Sequence, residues 1–139
     1  MPSILIVEDD RMILSGLDYA LEQEGYRVVC AANVKEARVA LADTRFDLAL
    51  LDMNLPDGTG FDVHAALTEA HADTAVMFLT VVDDEGNVVR AFEEGAADYI
   101  TKPFRLRELL ARVKRALRTH AVAATAEDAS RDIGADARV

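Results

Sequence analysis

Cysteine occurs once in the 139 residues, at Cys30, so no internal disulfide can form. Cys30 lies in the apolar run from Tyr26 to Ala32 and is expected to be a small core residue. Long hydrophobic runs are also missing: none approaches the roughly 20 residues needed to span a bilayer. The N-terminus carries no signal-peptide pattern, so the expectation is no membrane association and a cytoplasmic location. Basic residues are scarce, 15 against 25 acidic ones, for a net charge of -10. A segment this acidic repels nucleic-acid phosphates, which argues against direct nucleic acid binding. No close internal repeat and no second domain are visible.

What remains is a balance of 51% hydrophobic and 29% charged residues, that of a folded soluble domain rather than a disordered chain. The length suffices for one domain with a real core. Phe46-Asp47-Leu48-Ala49-Leu50-Leu51 is a short apolar run bounded by turn formers, which reads as a strand covered on both faces. It ends on Asp52, and Asn54, Pro56, Asp57, Gly58 and Gly60 mark a loop after it. A carboxylate in that position is costly to desolvate unless a cation or hydrogen-bond donors meet it. Taken alone, Asp52 reads first as a loop cap, and the rest of the chain reverses that reading.

The other segments follow the same plan. Ser3 to Val7 is a strand ending in Glu8-Asp9-Asp10, and Arg11 to Glu24 carries Met12, Ile13, Leu17, Ala20 and Leu21 at helical spacing up to Gly25. After the strand Tyr26 to Ala32, Asn33 with Glu36 forms a capping-box pattern for a helix to about Asp43, with Val34, Ala37, Ala40 and Leu41 inward. A helix is expected from about Gly60 to His71, then a strand Ala75 to Thr80 that ends on a hydroxyl. The polar turn Asp83-Asp84-Glu85 opens a helix to Glu94, and Asp98 to Thr101 is a short strand leading to Lys102-Pro103. From Phe104 a last helix sets Leu106, Leu109, Leu110, Val113 and Leu117 on one face to about Arg118. Strand and helix alternate five times, which predicts an α/β fold: a doubly wound five-stranded parallel sheet with right-handed crossovers. Residues 1–119 are expected to form the domain, and the alanine-rich 120–139 a linker or an extension of the last helix.

In a parallel sheet the carboxyl ends of all strands share one edge, where open α/β folds place their ligands. That edge gathers Glu8, Asp9 and Asp10 with Asp52, Thr80 and Lys102. Crowded carboxylates raise one another's pKa or recruit a cation. An open, all-oxygen site suits Mg²⁺, which keeps several waters and commonly bridges to phosphate. A hydroxyl, a lysine and a divalent cation around one aspartate are the groups that stabilise a phosphoryl in transfer, with Asp52 as nucleophile. Singly, each has a plainer reading: a helix-end charge run, a satisfied strand-end hydroxyl, an ordinary loop lysine.

The motifs ILIVEDD, LALLDMNLPDGTGF, MFLT and ADYITKPF resemble, in order and spacing across about residues 2 to 119, the receiver domain of two-component response regulators. The resemblance implies a flavodoxin-like sheet of order 2-1-3-4-5. It implies that Asp52 accepts phosphate from a phosphohistidine on a sensor histidine kinase or phosphotransfer protein. Glu8 and Asp9 become the acidic pair, Asp9 the more direct metal ligand, and the Asn54 backbone carbonyl completes the protein's share of the Mg²⁺ shell. Thr80 becomes the switch hydroxyl, Tyr99 the switch aromatic and Lys102 the phosphoryl-binding lysine, with a cis Lys102-Pro103 bond. The chain would not be an enzyme beyond its own phosphorylation and dephosphorylation. His64, His71 and His120 are expected at the surface, outside the crevice.

The segment ADYITKPF and the helix after it resemble the winged-helix transcription-factor subfamily, which dimerises through its fourth helix, fifth strand and fifth helix. Asp98, Glu108 and Arg112 fit charged pairing on that face, whereas Val88 and Ala97 stand where the subfamily usually has charges. Val81, after Thr80, replaces the usual small residue and, with Asn54 and Val82, bears on the phosphoryl lifetime. Two rivals lack their signatures: a flavodoxin needs a Ser/Thr/Gly phosphate loop where this chain has three acids, and an aspartyl-phosphate phosphatase wants an acid at Asn54. A stand-alone receiver, or an interaction module that works without phosphorylation, remains the alternative.

Overall fold

Leu48-Ala49-Leu50-Leu51-Asp52 is buried at every position, and the other strands flank it. The computed structural model describes residues 1–71, 73–81 and 85–120. Its main sheet comprises β1 (Ser3–Val7), β2 (Arg27–Ala31), β3 (Leu48–Asp52), β4 (Ala75–Val81) and β5 (Asp98–Lys102). All neighbours pair in parallel, in the order β2-β1-β3-β4-β5. The expected flavodoxin-like topology is therefore borne out. The helices are α1 (Arg11–Gln23), α2 (Val34–Asp43), α3 (Gly60–Ala70) and α4 (Glu85–Glu93), then α5 over 106–120.

Alternate side chains of each strand point to opposite faces, so the sheet builds two cores. Leu5, Val7, Ala49, Leu51 and Phe78 pack with Val34, Ala37 and Leu41 of α2, Val63 and Leu67 of α3 and Ala91 of α4. Ile4, Ile6, Leu48, Leu50, Met77 and Leu79 pack with Leu17 and Leu21 of α1 and Leu109 and Val113 of α5. Central β3 is covered twice, which is why its apolar run is nearly unbroken. The edge strand β2 is not: Cys30 is exposed, against the core placement expected from its apolar neighbours. An apolar run alone does not tell an edge strand from a central one.

Local chemistry sets the helix ends. Asp10 caps α1, its Oδ1 accepting from the amides of Met12 (2.9 Å) and Ile13 (3.2 Å). Asn33 caps α2 through the Glu36 amide at 2.8 Å, and Glu36 returns a bond to the Ala32 amide at 2.9 Å. Gly25, at φ 93°, follows α1 in the left-handed conformation that glycine adopts at least cost. Periodicity overreached at two helix starts. Met12 is 85% and Leu106 44% exposed, and half-buried Phe104 packs on the core near α5 instead.

After β3 the chain forms a small antiparallel ladder, Asn54–Leu55 with Gly58–Thr59, where only a loop was expected. The Asp83-Asp84 turn, Val82 and the tail from 121 onward lie outside the described residues. Among the described residues no helix is long and apolar enough to cross a membrane.

Candidate functional site

Parallel register sets the depth of each side chain at the carboxyl edge. Asp52 stands opposite Leu79 of β4, and Lys102 of β5 stands opposite Val81. The Glu8 amide extends the β1–β2 pairing to the Ala31 carbonyl at 3.0 Å, so the Glu8 side chain enters the protein. The three acids after β1 then have three different roles. Glu8 is fully buried, Asp9 is exposed and Asp10 is spent on the α1 cap.

The Lys102 ammonium lies 2.5 Å from Glu8 Oε1 and 3.2 Å from Asp52 Oδ1, joining the first and last strands of the chain to the central one. Glu8 Oε2 accepts the Asp10 amide at 3.1 Å, and Asp52 Oδ1 faces the Asn54 amide at 3.5 Å. Burial pushes the Glu8 carboxyl up to about 7, aided by the neighbouring Asp52; Lys102 and the Asp10 amide pull the other way. Burial would lower Lys102, but its bond to Glu8 and the charge of Asp52 outweigh that and hold the ammonium above its usual range. Glu8 and Lys102 thus support each other at a depth where neither is tolerated alone.

Glu8, Asp9 and Asp52 each present an oxygen within 4.8 Å of the others. Three carboxylates and one ammonium leave two uncompensated negative charges when all are ionised. An all-oxygen donor set with that deficit fits a hard divalent cation such as Mg²⁺. Both Glu8 oxygens already hold protein donors, so the exposed Asp9 is the freer of the acidic pair.

The other expected residues are placed differently. Thr80 is buried, but its hydroxyl is 3.5 Å from the Val81 carbonyl, and no described bond joins it to Asp52. Val81 is half-exposed at the end of β4. Tyr99 is half-buried, its ring edge-on to Phe92 at 5.4 Å. The Lys102-Pro103 bond is cis, as expected. Asp98 is buried between Arg112 (2.9 Å) and Arg115 (2.8 Å), and Arg112 also reaches Glu108 at 3.1 Å. The expected trio therefore pairs within one chain, with Arg115 as a fourth member. Glu108, Arg112 and Arg115 stand four and then three residues apart on α5, the spacing that shares a helix face.

Two further positions escaped sequence reasoning. A Cβ on Gly60 would come within 2.7 Å of the Asp52 carbonyl and 3.1 Å of the Phe78 ring, so only glycine lets α3 start this close to the acid. His64, expected at the surface, is buried: its ring stands edge-on to Phe78 at 5.7 Å and faces Glu94 at 3.8 Å. None of the three histidines is among the groups gathered at Asp52.

Residues 4–114 match the response regulator receiver domain. The chain belongs to that family. It is 42% identical over 118 residues to the transcriptional regulatory protein CpxR of Escherichia coli, covering 85% of this chain and 50% of CpxR. It is 41% identical over 118 residues to the phosphate regulon transcriptional regulatory protein PhoB of Pseudomonas aeruginosa, covering 84% of this chain and 52% of PhoB. This receiver chain spans about half the length of the curated relatives it matches. Among solved structures, the non-phosphorylated HemR receiver domain of Leptospira biflexa superposes with a TM-score of 0.79 at 41% identity, covering 84% of this chain and 94% of that one. A CheY-like receiver domain protein of Methanospirillum hungatei gives 0.82 at 33% identity, over 87% and 97%.

Proposed function

We propose that this receiver domain takes a phosphoryl group onto Asp52 from the phosphohistidine of a sensor histidine kinase or phosphotransfer protein. The observation that carries the reading is the placement of Asp52: 3.2 Å from the Lys102 ammonium and within 4.8 Å of the oxygens of Glu8 and Asp9. An Asp52 oxygen attacks phosphorus, the P–O bond forms as the P–N bond breaks, and the imidazole leaves with the electron pair. Asp9, Asp52 and the Asn54 carbonyl, with Glu8 behind them, would hold Mg²⁺, which supplies positive charge against the phosphoryl oxygens. Lys102 supplies the protein's own positive charge there. Glu8 keeps that ammonium aimed at the site rather than at solvent.

The phosphoryl adds acceptor oxygens beside Lys102 and Thr80. Drawing Thr80 toward them vacates space beside Tyr99, which repacks α4, β5 and α5. The surface of α4, β5 and α5 includes exposed Val89 and Phe92 on α4 and exposed Leu106 on α5, and the Asp98-Arg112-Glu108 network joins β5 to α5. It is the surface proposed for homodimerisation or for contact with an output domain in transcription regulation. Catalysis is limited to the domain's own phosphorylation and dephosphorylation.

The test is a phosphate-affinity gel after treatment with acetyl phosphate and Mg²⁺. The wild-type band shifts and the Asp52→Asn band does not; a shift that survives in the variant removes Asp52 from the role.

A further inference from the structure

One carboxylate ties the segment after the proposed acceptor to a helix from elsewhere in the chain. In the ladder of Asn54–Leu55 with Gly58–Thr59, Pro56 and Asp57 are the two turn residues. Proline holds φ near about -65°. That excludes the two-residue turns with positive φ at that position, whose twist continues into a longer hairpin. The ladder stops after two residue pairs, so strand pairing contributes little to holding its tip.

Asp57 provides an outside anchor. Its Oδ1 accepts the Val34 amide at 2.8 Å and its Oδ2 the Lys35 amide at 3.0 Å. These are the first two amides of α2, which have no acceptor within the helix. Two bonds from one planar carboxylate set direction as well as distance. The Val34 bond, together with that of Lys35, holds the Asp57 carboxyl below its usual range. Behind the turn, Leu55 is buried in the same core cluster as Val34.

The other end of the hairpin opens onto the site. The Gly60 amide bonds the Met53 carbonyl at 3.1 Å, and the Asn54 amide faces Asp52 Oδ1 at 3.5 Å. The Asn54 peptide is therefore located from two sides, by Gly60 at the base and by Asp57 at the tip. We propose that Asp57 is a positioning residue for phosphoryl acceptance: by clamping the hairpin to α2, it keeps the Asn54 carbonyl where it completes the Mg²⁺ shell beside Asp52. The inference rests on the phospho-acceptor reading. Asp57 itself is exposed at the turn, and among the described residues no bond joins it to Asp52, Glu8 or Asp9.

A plain capping role for Asp57 would affect stability alone, so the test separates stability from metal affinity. Wild type, Asp57→Ala, Asp57→Asn and Asn33→Ala are titrated with Mg²⁺ by calorimetry and labelled with acetyl phosphate at limiting Mg²⁺. Asn33→Ala removes the α2 cap bond to Glu36 without touching the hairpin. The expected result is Mg²⁺ binding weakened about tenfold in Asp57→Ala, the lower end of what losing an outer partner of a metal site costs. Asp57→Asn, with one carbonyl acceptor left, falls between, and excess Mg²⁺ restores labelling. Asn33→Ala lowers Tm and keeps the wild-type affinity. Wild-type affinity in Asp57→Ala, or an equal loss in Asn33→Ala, overturns the positioning role and leaves only a helix cap. Wild type that binds Mg²⁺ but takes no phosphoryl defeats the acceptor reading instead, and the affinity comparison still stands. Wild type that binds no Mg²⁺ overturns both.

Discussion

Lys102 sits closer to Glu8 than to Asp52, at 2.5 Å against 3.2 Å. The ammonium that faces the proposed acceptor is thus held by a different, fully buried acid. Lys102→Ala strands Glu8 and Asp52 without their shared cation. Breaking a buried pair this way costs up to about 3–5 kcal/mol; partial exposure of Lys102 places this case toward the low end. Mg²⁺ can take over part of the lost charge. The expected outcome is a lower Tm for the metal-free variant and a larger rise in Tm with Mg²⁺ than wild type shows. Thermal melts with and without saturating Mg²⁺ decide it, and an equal rise in both proteins refutes the shared-cation argument.

A cation bound only by the folded site stabilises it by mass action, about 2.7 kcal/mol at one hundred times Kd. Asp9 is exposed, so Asp9→Asn costs the metal-free fold within about 0.5 kcal/mol. The variant is expected to lose most of the Mg²⁺-induced rise in Tm and most acetyl phosphate labelling. Labelling of wild type that is equal in EDTA and in millimolar Mg²⁺ would contradict the metal assignment.

Asp98 is 5% exposed and divides its oxygens between two arginines. Either arginine alone keeps the buried carboxylate in an ion pair; loss of both leaves it the Tyr99 amide at 2.8 Å and no countercharge. Arg112→Ala and Arg115→Ala are each expected to be mild, and the double variant worse than their sum by about 1 kcal/mol or more, as for residues sharing one partner. A double-mutant cycle by urea denaturation measures this. Strict additivity would show that the two ion pairs work independently.

Burial holds the His64 imidazole below its usual range, more strongly than the facing Glu94 raises it. The unfolded chain therefore takes up this proton first as pH falls. The contribution to stability is complete above about 6.5, the unfolded value, and is lost as pH drops through the lower folded value. His64→Gln is expected to flatten the decline in stability below neutral pH. Denaturation curves at pH 7.5 and 5.5 for both proteins test it, and parallel declines would remove His64 as a source.

Much of this was legible without coordinates because it depends on local pattern. Apolar runs that end on acids, a hydroxyl and a lysine mark strands whose ends carry chemistry, and alternation with helices leaves a parallel sheet as the economical arrangement. Cys30, Met12 and Leu106 were misjudged for one reason. Periodicity reports that a face is apolar, not whether another element covers it, and an edge strand or first helical turn lacks that cover.

The sequence by itself determined the alternation of strands and helices in a parallel sheet, the acceptor Asp52 as candidate and the acids and lysine around it, since parallel topology carries strand ends to one edge whatever the side-chain detail; the strand order was implied by the family resemblance. Only the tertiary structure decided that Lys102 pairs first with Glu8, that Asp98 is spent on Arg112 and Arg115, that His64 is buried, and that Asp57 reaches α2. Those are choices among partners far apart in the chain, made by distances of a few tenths of an ångström and by which groups lose their water, and neither quantity is written in local sequence.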